Sequence, residues 1–260
     1  MAVAHGTRVN RVAWIDLASS DAGAAREFYG KLFGWKAEVN PDPQYGGYAL
    51  AKLPDGGEDV AGIGPTQSPE QPTVWSVYIG TDDADALSEK VKAAGGTVVA
   101  PAFDVGPLGR MAVFQDPSGA YISAWQPSGM GSFRAGKSEP GTFGWAELNA
   151  RGIDKAIAFY QEVFGWTAET SPMGDDQPPY TEFHLRDHSI AGAMEMNPMV
   201  PAEMPSYWMV YFDVADVDDA FKRAIDAGAR EMMAPDDYPG GRYAILSDPQ
   251  GAVFGLLKGK

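Results

Sequence analysis

The sequence predicts an α+β chain made of two tandem domains. Three observations predict it: an internal repeat, a β-α-β-β-β rhythm inside each repeat, and glycine-marked helix ends. Trp14-Ile15-Asp16-Leu17 is answered by Trp145-Ala146-Glu147-Leu148. Phe28-Tyr29-Gly30-Lys31-Leu32-Phe33-Gly34-Trp35 is answered by Phe159-Tyr160-Gln161-Glu162-Val163-Phe164-Gly165-Trp166. Asp116-Pro117-Ser118-Gly119-Ala120 returns as Asp248-Pro249-Gln250-Gly251-Ala252. A period near 131 residues is far longer than a solenoid repeat, so it marks a duplicated domain. The Gly-, Ser- and Pro-rich stretch from Pro127 to Gly141 reads as a flexible linker. The expected domains are therefore 1–127 and 142–260, joined by residues 128–141.

Each element follows from local pattern. Residues 11–18 alternate as a strand. Over 21–33, Ala25, Phe28 and Leu32 with Tyr29 and Phe33 fall at helical spacing, and Gly34 stops the helix. Short strand-like runs follow at 35–39, 47–53 and 59–64. A second unit opens with a strand at 73–80 and a helix from Asp82, with Leu87 and Val91 one turn apart. Gly95 closes that helix, and strands follow near 97–103, 110–115 and 119–126. Asp116-Pro117-Ser118-Gly119 has the chemistry of a hairpin turn. The second half repeats the scheme, with a helix at 216–227 closed by Gly228. The four β-α-β-β-β units are expected near 10–65, 73–126, 142–197 and 206–257.

Composition narrows the function classes. Twenty Lys and Arg against 35 Asp and Glu give a net charge of −15. That argues against nucleic acid and anionic membrane surfaces, and is compatible with a cationic ligand. The absence of Cys removes thiolate nucleophiles and Cys-based metal sites. No apolar run approaches a membrane span, and Met1–Asn10 lacks an apolar signal core, so a cytoplasmic protein is expected. A monomer or a homodimer is compatible with the tandem repeat.

The helix ending Phe-Tyr-x-x-x-Phe-Gly-Trp, the Asp-Pro-x-Gly turn before the last strand and the Ala-Gly-Gly and Ala-Gly-Ala helix ends at 94–96 and 227–229 resemble the vicinal oxygen chelate superfamily. That superfamily holds glyoxalase I, bleomycin-resistance proteins and extradiol dioxygenases. The chain is similar to tandem glyoxalase-like proteins of actinobacteria, some labelled hydroxylases. The resemblance implies paired β-α-β-β-β units curling round a cup. In metal-dependent members, ligands from the first and last strands of each unit hold a divalent ion. Counted onto this chain, those positions fall on Trp14, Ser76, Ser123 and about Gly62, then on Trp145, Met209, Gly255 and about Gly192. None is His, Asp or Glu, so no metal and no cofactor is expected. The His residues are His5, in an expected N-terminal tail, and His184 and His188, with Glu182 on the strand face of His184. A Glu182/His184/His188 metal site is the competing reading, with Glu195 as a further suspect.

Alternation from those positions names the expected lining. The first cup gathers Trp14, Asp16, Ser76, Tyr78, Tyr121, Ser123 and Trp125. The second gathers Trp145, Glu147, Met209, Tyr211, Val253, Gly255 and Leu257, with His184 able to point in. Asp16 and Glu147, flanked by indoles, are the candidate general acids or bases or counter-ions for a cation. Arg110 and Arg242 follow Gly-rich loops that could lower an Arg over each cup mouth. Met194, Met196, Met199, Met204 and Met209 form a candidate adaptable lip. The leading expectation is capture of a small aromatic or cationic molecule. The alternative is metal-independent proton transfer on a polyketide-like or dicarbonyl substrate through Asp16 or Glu147, and the minor one is metal-dependent glyoxalase or dioxygenase chemistry.

Overall fold

The computed structural model describes residues 9–128, 133, 139–173, 178–198 and 200–260. His5, Met199 and most of the expected linker lie outside them. In chain order the elements are β1 Val12–Ser19, α1 Ala22–Phe33, β2 Lys36–Val39, β3 Ala49–Lys52, β4 Asp59–Pro65, β5 Val74–Gly80, α2 Ala84–Ala93, β6 Thr97–Val105, β7 Gly109–Gln115 and β8 Tyr121–Pro127. The second half adds β9 Phe143–Ala150, α3 Ile153–Phe164, β10 Thr167–Ser171, β11 Tyr180–Leu185, β12 His188–Glu195, β13 Tyr207–Asp213, α4 Val217–Asp226, β14 Arg230–Tyr238, β15 Gly241–Ser247 and β16 Val253–Gly259. The β-α-β-β-β rhythm occurs four times.

Each half contributes one mixed eight-stranded sheet, ordered β2-β3-β4-β1-β5-β8-β7-β6 and β10-β11-β12-β9-β13-β16-β15-β14. The central ladders β1/β4, β5/β8, β9/β12 and β13/β16 are parallel and the outer ones antiparallel. Helix ends follow from capping chemistry. Asp21, Asp83 and Asp216 accept N–H bonds from Ala24, Ala86 and Asp219 at the starts of α1, α2 and α4. Gly34 and Gly165 take the left-handed conformation that ends α1 and α3. The start of α3 has no such residue at Gly152. Glu195 instead accepts the Gly152 and Ile153 N–H bonds at 3.0 and 2.8 Å, so its carboxylate is a helix cap rather than a metal ligand.

Contacts gather the chain into two compact units, each drawing on both halves: Met1–Trp14, Val77–Gly131 and Ala146–Trp208 form one, and Ile15–Ser76, Ser132–Trp145 and Met209–Lys260 form the other. In the first, the α3 Tyr160 hydroxyl donates to Asp116 Oδ2 at 2.8 Å and accepts from Trp208 Nε1 at 2.8 Å. In the second, Tyr29 of α1 donates to Asp248 Oδ2 at 3.0 Å and accepts from Trp75 Nε1 at 2.9 Å. Thus the Tyr of one repeated motif meets the Asp of the other motif from the opposite half. Burial, and then the neighbouring Asp, pushes both phenols well above the ordinary tyrosine value. The linker's described residues are anchored in the second unit. Phe133 is buried, and the Gly141 carbonyl accepts from Trp35 Nε1 at 2.8 Å.

Candidate functional site

The first strand of each half shows which sheet face is available. On β1, Ile15 and Leu17 are fully buried, while Trp14, Asp16 and Ala18 are half-buried. On β9, Ala146 and Leu148 are fully buried, Trp145 is half-buried and Glu147 is 8% exposed. The carboxylates therefore occupy the strand face opposite the fully buried core side.

Asp16 lies opposite Gly62 in the β1/β4 ladder. A Cβ at Gly62 would overlap the Tyr48 hydroxyl, and one at Gly64 would press its ring. Bare backbone at both positions lets Tyr48 lie across β4, where its hydroxyl donates to Asp16 Oδ2 at 3.3 Å. Tyr48 was not among the expected lining. Its signal was the Gly62-x-Gly64 pair, which marks a strand crossed closely by another group. Glu147 likewise pairs with Gly192. Its Oε1 accepts from Asn149 Nδ2 at 3.2 Å, and its charge, after burial, raises the Tyr207 phenol pKa.

A second face lies on β5 to β8. Register aligns Tyr78 with Ser123 and Val113 with Ser123. The next row aligns Phe103, Met111 and Trp125. Tyr78 and Ser123 are buried, and Phe103 remains 45% exposed. Trp125 lies over Gly109, where a Cβ would come within 2.9 Å of its ring. Tyr121, at the outer end beside Gln115, is 57% exposed. Ser76 is half-buried on β5.

On β13, Met209 and Tyr211 are buried. Tyr211 pairs with Gly255 and fills the space a Cβ there would take. Replacing Gly255 with Ala is therefore expected to displace the ring and cost about 1–3 kcal/mol, read as a lower urea midpoint; an unchanged midpoint would show the ring does not rest there. Two residues on, Asp213 is 8% exposed. Its carboxylate lies over Gly144, with Oδ1 2.8 Å from where a Cβ would stand. Burial pushes its carboxyl up to about 6, with Lys258 pulling the other way. The sequence list stopped at Tyr211, although the same alternation reaches Asp213.

The two arginines are held by carboxylates. Arg110 donates to Asp104 at 2.6 Å and to Asp85 of α2 at 2.9 Å. Arg242 donates to Asp237 at 3.0 Å and to Asp218 of α4 at 2.7 and 2.8 Å. Both are one residue out of step with the Met111 and Tyr243 rows, so alternation turns them to the helix side. His184 Nε2 stands 3.9 Å from Glu182 and 4.0 Å from Glu169, too far for hydrogen bonds. Glu182 accepts from Ser189 Oγ at 2.7 Å instead. Met196 is buried and Met204 exposed.

Residues 11–123 and 142–256 match the model of the Glyoxalase/Bleomycin resistance protein/Dioxygenase superfamily. The chain belongs to this superfamily. "Putative glyoxylase CFP32" of Mycobacterium tuberculosis (strain CDC 1551 / Oshkosh) is 42% identical over 94% of this chain and 93% of its own length. "Anthracycline biosynthesis protein DnrV" of Streptomyces peucetius is 38% identical over 95% and 92%. The Mn(II)-bound glyoxalase from Novosphingobium aromaticivorans superposes with a TM-score of 0.67 at 19% identity, covering 96% of this chain and 82% of its own. That likeness establishes the two tandem domains of the α+β fold. Among the described residues, no helix is long and apolar enough to cross a membrane.

The superfamily implies a divalent ion, and the donor set here does not fit one. The eight positions carry Trp, Ser, Met and Gly, which are poor ligands for a hard cation. Two of the glycines, Gly62 and Gly255, have their side-chain space closed by Tyr48 and Tyr211. Among the described residues, no group of three or more His, Asp or Glu is placed to hold a metal.

Proposed function

We propose that this glyoxalase-superfamily chain binds a small, flat aromatic molecule without a metal. The observation that carries the reading is the Phe103–Met111–Trp125 row beside buried Tyr78 and Ser123. An apolar and aromatic face with a few fixed hydroxyls suits a ring system that stacks on Trp125 and hydrogen-bonds at its edge. The anthracycline biosynthesis name of one relative supports a fused-ring ligand. Trp14 and Trp145, half-buried on their strands, are further stacking candidates.

Titration with 1,4-dihydroxyanthraquinone, followed by calorimetry, tests this. Trp125→Ala is expected to weaken binding about tenfold, close to 1.4 kcal/mol. Equal affinity of Trp125→Ala, Phe103→Ala and parent would sink the reading.

A second reading rests on the Tyr48–Asp16 hydrogen bond. A carboxylate with a phenol on the same face can take a proton from an acidic carbon and hold the oxyanion that forms. In the second half the Glu147 charge acts on the Tyr207 phenol, which burial already raises. On this reading Asp16→Asn lowers turnover of a dicarbonyl or polyketide-like substrate about a hundredfold, while ring binding stays within about twofold. Substrate that is bound but never altered by the parent favours capture alone.

A further inference from the structure

Asp213 is a buried carboxylate that neither reading uses, and unlike Asp116 and Asp248 it accepts no tyrosine hydroxyl among the described residues. Register places Asp213, Leu257 and Tyr243 in one row across β13, β16 and β15, so their side chains share a sheet face. Tyr238 packs edge-on against Tyr243, with ring centroids 5.8 Å apart and an interplanar angle of 86°. Burial, and then the charge of Asp213, raises the Tyr238 phenol pKa. Gly144 is bare beneath the carboxylate.

Among the described residues, the cations nearby are placed elsewhere. Arg242 is held by Asp218 and Asp237. Arg242 and Lys258 are register partners, one residue off the Tyr243–Leu257 row and so on the opposite face. Lys258 acts on Asp213 through its charge. A buried carboxylate without a paired cation is costly to keep. The Tyr238–Tyr243 ring pair on the same sheet face supplies surfaces that attract a cation. One carboxylate among Leu and Tyr side chains is too few oxygens for a metal ion, and an anion would be repelled.

We propose that Asp213, Tyr238 and Tyr243 form a site for the ammonium group of an amine-bearing organic ligand. The carboxylate supplies the counter-charge, the phenol rings cover the cation, and Leu257 contacts the attached carbon skeleton. The chain's net charge of −15 favours approach of such a ligand. This site goes beyond the flat-ring reading and stands or falls independently of it.

The test compares benzylammonium with neutral benzyl alcohol by ¹⁵N–¹H shift titration of the full chain. The parent is expected to bind benzylammonium at least about tenfold more tightly, with the Gly144, Tyr238 and Tyr243 amides among those that shift. Asp213→Asn is expected to weaken benzylammonium about tenfold and leave benzyl alcohol unchanged, and Tyr243→Leu to weaken it about threefold. A tenfold change corresponds to 1.4 kcal/mol, the scale of a covered cation–π or charge contact. Equal binding of the two probes, no binding of benzylammonium, or full retention in Asp213→Asn would overturn the site. Should Asp213→Asn fail to fold, Tyr238→Leu and Tyr243→Leu carry the comparison, and undiminished benzylammonium binding in both overturns it. Loss of anthraquinone binding with ammonium preference kept would count against the flat-ring reading alone.

Discussion

Replacing Asp213 with Asn is expected to stabilise the protein at pH 7.5 by about 3 kcal/mol, and to change nothing near pH 3.5. The carboxyl sits at about 6 in the fold against an ordinary value of 3.8. That gap of roughly two units is worth about 3 kcal/mol between protonation states. The folded value is the higher one. Below pH 3.8 both states hold the proton and the group contributes no difference. As pH rises from about 4 to about 6 the unfolded chain gives up its proton first, so the parent loses stability, and the deficit persists above pH 6. Asn does not titrate and escapes it. Asp248, also raised by burial, titrates in parent and variant alike and cancels in the difference. Urea unfolding at the two pH values checks the effect. A variant no more stable than the parent at pH 7.5 would mean that the carboxylate is better satisfied than its surroundings indicate.

Such a gain on removal would mean that Asp213 serves something other than folding. Asp213 also shows where sequence reasoning stops. The repeat, the helix ends and the strand faces were legible because each depends on neighbours within a few residues. Period two placed Asp16 and Glu147 opposite the buried core, and glycine after Phe33 and Phe164 ended two helices. Partners distant in sequence were not legible. The Gly62-x-Gly64 pair marks a close crossing, but nothing local says that Tyr48 makes it, or that Arg110 reaches Asp85 on a helix rather than a ligand. Nor does either copy of a motif reveal that Tyr29 needs Asp248 while Tyr160 needs Asp116. Duplication makes both pairings equally consistent with the sequence, and only packing chooses between them.

That choice supplies the largest destabilisation. Asp248 Oδ1 accepts the N–H groups of Gln250 and Ala252, both at 2.9 Å, while Oδ2 accepts the Tyr29 hydroxyl. Asp116 adds the Ser118 hydroxyl to the same pattern. Asp248→Ala therefore strands a buried and a half-buried backbone donor and a buried phenol. At about 1–3 kcal/mol for each unsatisfied group, and with some relief from no longer burying a charge, the net loss is about 4 kcal/mol. Tyr29→Phe removes one donor and leaves Trp75 Nε1 without its acceptor, for about 2 kcal/mol. The double variant decides whether the two act together. Residues in one hydrogen-bond network couple by about 0.5–3 kcal/mol, whereas separated sites add. A coupling above about 1 kcal/mol is expected for Tyr29 with Asp248 and for Tyr160 with Asp116, and none for Tyr29 with Asp116. Strong coupling within a half, between Tyr29 and Asp116, would mean that each half closes on itself. Coupling across halves means that neither half completes its own core. A change near the Asp248 turn would then loosen the helix that begins at Ala22 as much as the strand that follows the turn.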